Sequence, residues 1–398
     1  MAALTWLGFI IAILAILVIS RWHLGLSLFT ASLVLAVFTM GPGLFGQLGI
    51  ETFTDPAIVF MAAAVALIPM IGGYLETSGL MDSLVSNLRV NRKGFLMSVP
   101  ALMGMLPMPG GALLSAPMVK RGGDGVTTEN LVGANVWFRH ALYLVYPLST
   151  SLIVSSYLAG IDIYDAIIAL SPFFALTMVV GIIFFLLEAR GRITGRGEFS
   201  WKGLMIPLGV LLAAPIIDFL ILKGLEPDIR ETALILAVLV SFALAAYFSR
   251  QNWSKTVRVA RKMKPWNFGS IIFGMFLFLA VFQNSGVPEL IARLGLPGVV
   301  LCVGVGFLLG FVTGRIQVPA SIIIPIYLGA AAVSTMEVWP FAITYVSIFV
   351  GYVASPVHPC TSVTLEYFDL SLKDFLKRMA WPSVVMMIIM VAAGLMVF

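Results

Sequence analysis

A chain of 398 residues that is 60% hydrophobic and only 11% charged cannot hide its apolar surface in a water-soluble fold. A soluble enzyme and a nucleic-acid binder are therefore excluded. The excess of 24 Lys+Arg over 19 Asp+Glu, net +5, fits the basic loops of a membrane protein. The mean hydropathy of +1.04 says the same. Cys302 and Cys360 offer neither a disulfide framework nor a zinc spacing, and both read as small apolar residues.

The first apolar run lacks a basic leader and continues to Ser20 before Arg21 and His23 close it, so it reads as a retained helix rather than a cleaved signal. A spanning length of about 20 residues then gives helices near 2–20, 24–40, 56–75, 130–155, 165–187, 203–222, 232–249, 267–285, 339–356 and 379–398. Asp55-Pro56 opens the third with an N-cap and a proline at the first helical position. Two apolar stretches, Phe95–Val119 and Val299–Leu328, are too short for two crossings, yet both break in the middle. The first breaks at Pro107-Met108-Pro109-Gly110-Gly111 and the second around Thr313-Gly314-Arg315-Ile316-Gln317-Val318-Pro319. Each reads as a re-entrant hairpin, since broken backbone at membrane depth is tolerated only around protein or a water-filled cavity. The stretches Glu76–Lys93 and Thr364–Arg378 read as a linker and an interfacial amphipathic helix.

Loop charges test this layout. With the Arg21 end cytoplasmic and both hairpins returning to the side they entered from, Arg89–Lys93, Lys120-Arg121, Arg190–Lys202, Lys255–Lys264 and Lys373–Arg378 all fall on one side. The Gly41–Asp55 and Gly160–Asp165 loops, without Lys or Arg, fall on the other. That is the positive-inside pattern, and it places both termini outside. The expected fold is an all-α polytopic membrane protein of about ten transmembrane helices and two hairpins.

The order of elements repeats. Residues 1–187 carry five spans with a hairpin at 94–121 and a broken helix at 130–158. Residues 203–398, after a basic linker at 188–202, carry the same order, with a hairpin at 299–328 and a broken helix at 339–363. The halves begin on opposite sides, which makes them inverted-topology repeats, the architecture of secondary transporters with the substrate at the repeat interface.

Leu106–Val119 (LPMPGGALLSAPMV) and Ser355–Phe368 (SPVHPCTSVTLEYF) carry a resemblance over nearly the whole chain. The chain resembles the ion transporter superfamily, and within it a prokaryotic membrane family of unknown function. A shorter similarity, around Pro356–Pro359, is to gluconate and related organic-acid permeases. The resemblance implies an elevator-type symporter in the prokaryotic inner membrane, acting as a homodimer. The Ser-Asn-Thr signature of the dicarboxylate branch is replaced by Ser149-Thr150-Ser151 and Thr361-Ser362.

The breaks themselves suggest chemistry. A half-helix starting at mid-membrane presents unpaired N–H groups and about half a positive charge to its surroundings. Pro109, Gly110 and Gly111 in one hairpin, and Ala320 and Ser321 in the other, stand where such ends would bind an anion. Arg315 is a charge at the proposed hairpin tip, with Gln317 beside it, and suits a carboxylate. A salt bridge to a buried acid such as Asp218 is the competing reading. His358 can donate to an anion or carry a proton. Arg139 can bind substrate or fix its helix. The hydroxyls of Ser115, Ser149, Thr150, Ser151, Thr361 and Ser362, with freed carbonyls, are the candidate Na⁺ ligands, although hydroxyls also satisfy broken backbone with no ion. Na⁺ is the only metal expected, because three histidines without helical spacing do not form a transition-metal motif. No GxSxG elbow is present, and an enzyme is disfavoured. The expected function is secondary transport of a small organic anion coupled to Na⁺ or H⁺. A cation/proton antiporter through Asp218 is the alternative, and a passive anion channel stands behind it.

Overall fold

Apolar runs in a chain with this little charge satisfy their backbone internally, and the computed structural model is helical throughout its ordered elements. It describes residues 2–105, 111–191, 198–225, 227–250 and 252–398. The first half contains α1 (Ala2–Ile19), α2 (Leu24–Thr39), α3 (Pro42–Thr54), α4 (Pro56–Thr77), α5 (Leu80–Ser86), α6 (Arg92–Gly104), α7 (Gly111–Gly122), α8 (Thr128–Ala141), α9 (Thr150–Leu158) and α10 (Ile163–Phe185). The second contains α11 (Trp201–Leu225), α12 (Glu231–Phe248), α13 (Trp253–Met263), α14 (Pro265–Gln283) and α15 (Val287–Ala292). It continues with a π-helical stretch (Val299–Val305) leading into α16 (Gly306–Thr313), then α17 (Gln317–Ala331), α18 (Val338–Ala354), α19 (Pro359–Phe368) and α20 (Leu372–Val397).

Eight helical stretches among the described residues are long and apolar enough to cross a membrane, and the chain is a polytopic integral membrane protein. Local sequence sets their starts. Asp55 caps α4 by accepting from the Ala57 N–H at 2.8 Å, with Pro56 in the first turn. Asn91 and Asp162 cap α6 and α10 in the same way.

Both hairpins return to the end they leave. Arg92, at the start of α6, donates to the Asp124 carbonyl beyond α7 at 2.7 Å. Gly329 near the end of α17 packs on Pro288, ahead of the other limb. The Pro109 and Gly110 positions of the first hairpin lie outside the described residues.

Three segments differ from the sequence expectation. The Gly41–Asp55 loop is largely the helix α3. The basic Lys255–Lys264 loop is largely α13, an amphipathic helix that buries Val259 and Met263 under its lysines and arginines. Thr364–Arg378 is not one amphipathic helix. Asp369 adopts a left-handed conformation at φ 53° and ends α19, and Ser371 caps α20 through the Asp374 N–H.

Packing divides the helices into two groups. α1, α2, α4, α11, α12 and α14 pack together, with α2 on α14, α4 on α12 and α4 on α14. The second group holds α6 to α10 with α16 to α20, where α7 packs on α19, α9 on α17, α8 on α20 and α10 on α18. Exchanging each helix of one half for its counterpart ten numbers on leaves these pairings unchanged. At the centre, α18 is buried along nearly its whole length, whereas α1 exposes Leu4, Leu7, Leu14 and Val18 to its surroundings.

The ends of the bundle are chemically distinct. Exposed Trp22, Trp201, Trp253, Trp266 and Trp381 each stand within three residues of a Lys or Arg. Such Trp and basic anchors mark a membrane–water interface.

Candidate functional site

Two helix breaks meet at the tip of the second hairpin. α16 ends at Gly314, whose φ of +59° suits glycine, and a Cβ there would press on the His358 backbone nitrogen. The Ser355 hydroxyl, at the break between α18 and α19, donates to the Phe311 carbonyl at 2.6 Å. The hairpin tip and the broken span are thus fixed to each other.

A cavity of about 310 Å³ opens beside this junction. Its wall includes Arg315, Gln317 and His358, with Thr150 and Ser151 from the first broken span and Tyr143 and Tyr352. The amino-terminal ends of α9, α17 and α19 therefore converge on one space. No Asp or Glu is among its described lining residues. Arg315 is half-buried there, and among the described residues its guanidinium makes no hydrogen bond or ion pair. At the mouth, His23 donates from Nε2 to Asn267 Oδ1 at 3.0 Å, while its Nδ1 accepts from the Leu26 N–H.

The remaining expected residues fall in several places. Gly111 starts α7. Ala320 and Ser321 are buried inside α17, and the Ser321 hydroxyl donates to the Val318 carbonyl. Ser149 and Thr361 are buried at the two breaks, each with a hydroxyl that has no partner among the described residues. Ser362 is exposed. Ser115 accepts from Arg139 at 3.3 Å, and Arg139 also donates to the Met103 carbonyl at 3.0 Å, tying the broken span to the first hairpin.

Asp218 does not pair with Arg315. It accepts from the Tyr164 hydroxyl at 2.7 Å and lines a second cavity of about 440 Å³ with Pro147, Ser156, Asp162, Arg230 and Glu231. The two cavities open at opposite ends of the bundle. The Ser249 hydroxyl at the close of α12 donates to the Tyr74 carbonyl, and the Ser83 hydroxyl reaches the Gly203 carbonyl, so Arg230 and Glu231 lie at the far end. Both cavities reach the first broken span, one at Pro147 and the other at Thr150 and Ser151.

Sequence spacing gave no transition-metal motif, yet the fold brings His140, His358 and Cys360 together, with ligand atoms within 4.8 Å of one another. The partners are 218 positions apart, so no local spacing announces them. Their signal was rarity: two of the three histidines and one of the two cysteines stand at the broken spans. Tyr143, Tyr352 and Asn267 were likewise not singled out, because uncharged polar residues in apolar runs look like ordinary helix interior.

The fold is similar to that of the Alcanivorax borkumensis YdaH transporter, whose crystal structure is described as revealing an unusual topology. The TM-score is 0.65 at 14% identity, covering 93% of this chain and 96% of that one. Among curated proteins none matches in sequence. Residues 2–398 match the model of the family described as protein of unknown function DUF401, and the chain belongs to that family.

Proposed function

We propose that this protein is a secondary active transporter for a small anion, an organic carboxylate, in the elevator-type manner of the ion transporter superfamily. The observation that carries this reading is the cavity wall: three helix amino termini and the Arg315 guanidinium face one space with no lining carboxylate among the described residues. Each helix end contributes about half a positive charge, and a guanidinium binds a carboxylate through two parallel hydrogen bonds. Gln317 adds a neutral donor at the same wall.

The fold shared with a transporter supports the reading, and so do two cavities reaching one broken helix from opposite ends. The first packing group would be the scaffold and homodimer face. The second, carrying hairpins and breaks, would move. The inverted repeat explains why packing survives exchange of the halves. With the basic end cytoplasmic in a prokaryotic inner membrane, the Arg315 cavity faces inward and both termini lie outside. Coupling is by Na⁺ or H⁺. Ser149 and Thr361, whose hydroxyls have no partner among the described residues and stand beside broken backbone, are the best placed Na⁺ ligands. Ser115 is a poor one, because a guanidinium already occupies its hydroxyl.

A second reading, cation/proton antiport, has one observation in its favour: Asp218 is 3% exposed and its Oδ1 has no partner among the described residues. One experiment separates the two. Purified protein is screened by thermal shift against mono-, di- and hydroxycarboxylates, phosphate and sulfate, each in Na⁺ and K⁺ at two pH values. A ligand at about 100 times its dissociation constant stabilises by about 2.7 kcal/mol. A carboxylate-specific shift supports the anion carrier. Silence to every anion, with a shift on Na⁺ or Li⁺ alone that Asp218→Asn abolishes, gives the case to the antiporter.

A further inference from the structure

We propose that His140, His358 and Cys360 form a binding site for a borderline or soft transition-metal cation of the Zn²⁺ type, which staples the broken span of one half to that of the other. His140 precedes the first break, and His358 and Cys360 flank the start of α19. The imidazoles are 1% and 4% exposed.

The protonation pattern is fixed by the hydrogen bonds. His140 Nδ1 lies 2.7 Å from the Val136 carbonyl, which only accepts, so Nδ1 carries the proton and Nε2 presents a lone pair. His358 Nε2 lies 3.1 Å from that lone pair and, without an ion, must donate to it. His358 Nδ1 is then a buried acceptor with no partner among the described residues. Unpaired buried nitrogens are uncommon in native folds and call for an explanation.

A cation accounts for the close approach of the two Nε2 atoms and leaves His358 Nδ1 unpartnered among the described residues, as an N–H in place of a lone pair. Two imidazole nitrogens at about 2.0–2.1 Å from a tetrahedral ion stand about 3.3–3.4 Å apart, so the observed 3.1 Å needs only a small adjustment. The thiol of Cys360 supplies the third donor and gives up its proton to solvent as the metal–sulfur bond forms. The His358 proton moves from Nε2 to Nδ1, leaving both Nε2 lone pairs on the ion. The carbonyl of Val136 already orients His140 as outer-shell partners of metal-bound histidines do. The rings of Tyr143 and Tyr352 stand edge-on to His140 at 5.4 and 5.0 Å and, with His358, line the neighbouring cavity. The donor set, two imidazoles and a thiolate, selects zinc, copper(I) or cobalt over Na⁺, Mg²⁺ and Ca²⁺.

The test uses the full-length protein in detergent after chelator treatment. Titration with Co²⁺ should give a near-ultraviolet thiolate-to-cobalt charge-transfer band saturating at one ion per chain. The band should persist in Cys302→Ser and vanish in Cys360→Ser. Zn²⁺ should displace the cobalt, raise the unfolding midpoint and protect Cys360 of the unmutated chain from alkylation, read by mass spectrometry. No cobalt band, or alkylation of Cys360 indifferent to Zn²⁺, overturns the proposal. So does a band that survives in Cys360→Ser. The alkylation measurement needs no variant and decides the matter even where Cys360→Ser fails to fold.

Discussion

Arg315 is held at a hairpin tip by a residue with no side chain at all. Gly314 turns the chain through φ +59° and lies against the backbone of Val357 and His358, so it sets where the guanidinium stands. A left-handed non-glycine residue costs about 1–2 kcal/mol, and here a Cβ would also push the broken span away. Gly314→Ala is therefore expected to weaken anion binding strongly while leaving the helical content intact, as measured by isothermal titration and circular dichroism. Arg315→Gln should cost about 1.5–3 kcal/mol of binding, the range for hydrogen bonds to a charged group, with no loss of thermal stability. Equal affinity in both variants and the parent chain would place the anion elsewhere. Arg315 was legible in the sequence because a charge in the middle of an apolar stretch needs a reason. His140 and Cys360 were not, because an apolar-context cysteine has the same appearance whether it packs or ligates.

Between elements, two small residues let α16 and α18 touch backbone to backbone. A Cβ on Gly310 would collide with the Ile348 carbonyl oxygen, and one on Gly351 with the Phe307 carbonyl oxygen. The corresponding pair in the other half has the same device, with Gly104 of α6 against the Arg139 carbonyl of α8. Gly351→Ala should destabilise by about 1–3 kcal/mol, as overpacking of a tight core does. The readout is a lowered unfolding midpoint, and Gly209→Ala, where a Cβ meets open space, is the control. Helix existence followed readily from apolar length, as did the break between α16 and α17 from Gly314. The helices α3 and α13 were missed for opposite reasons. Glycines at 41, 43, 46 and 49 disguise the first, and a dense run of lysine and arginine hides the apolar stripe of the second.

At the scale of the molecule, the cavities at Pro147 and at Thr150–Ser151 are two approaches to one helix break. A cysteine at Ser151 should react with a membrane-impermeant thiol reagent added on the basic-loop side, and one at Ser156 with reagent added on the other. Both would be tested in a Cys302→Ala, Cys360→Ala background. Labelling of both from a single side would contradict the two-ended path. The doubled order of elements is a reading of the sequence that rests on parity and loop charge, which need no contacts. Which helix of one half packs on which helix of the other was not legible there, because that depends on contacts between distant residues.

The packing of one half on the other has a consequence for how the molecule can be made. α2 rests on α14, α4 on α12, α7 on α19 and α9 on α17, so each half is completed by the other through noncovalent faces as much as through the peptide at 188–202. The covalent join is then a convenience of synthesis. Two polypeptides, 1–187 and 203–398, expressed together should find each other in the bilayer and co-purify through a tag on either one. Expressed singly, each should be degraded or trapped in aggregates, because its broken span would meet lipid in place of its complement. In that sense the protein behaves as a heterodimer that happens to be translated from one message.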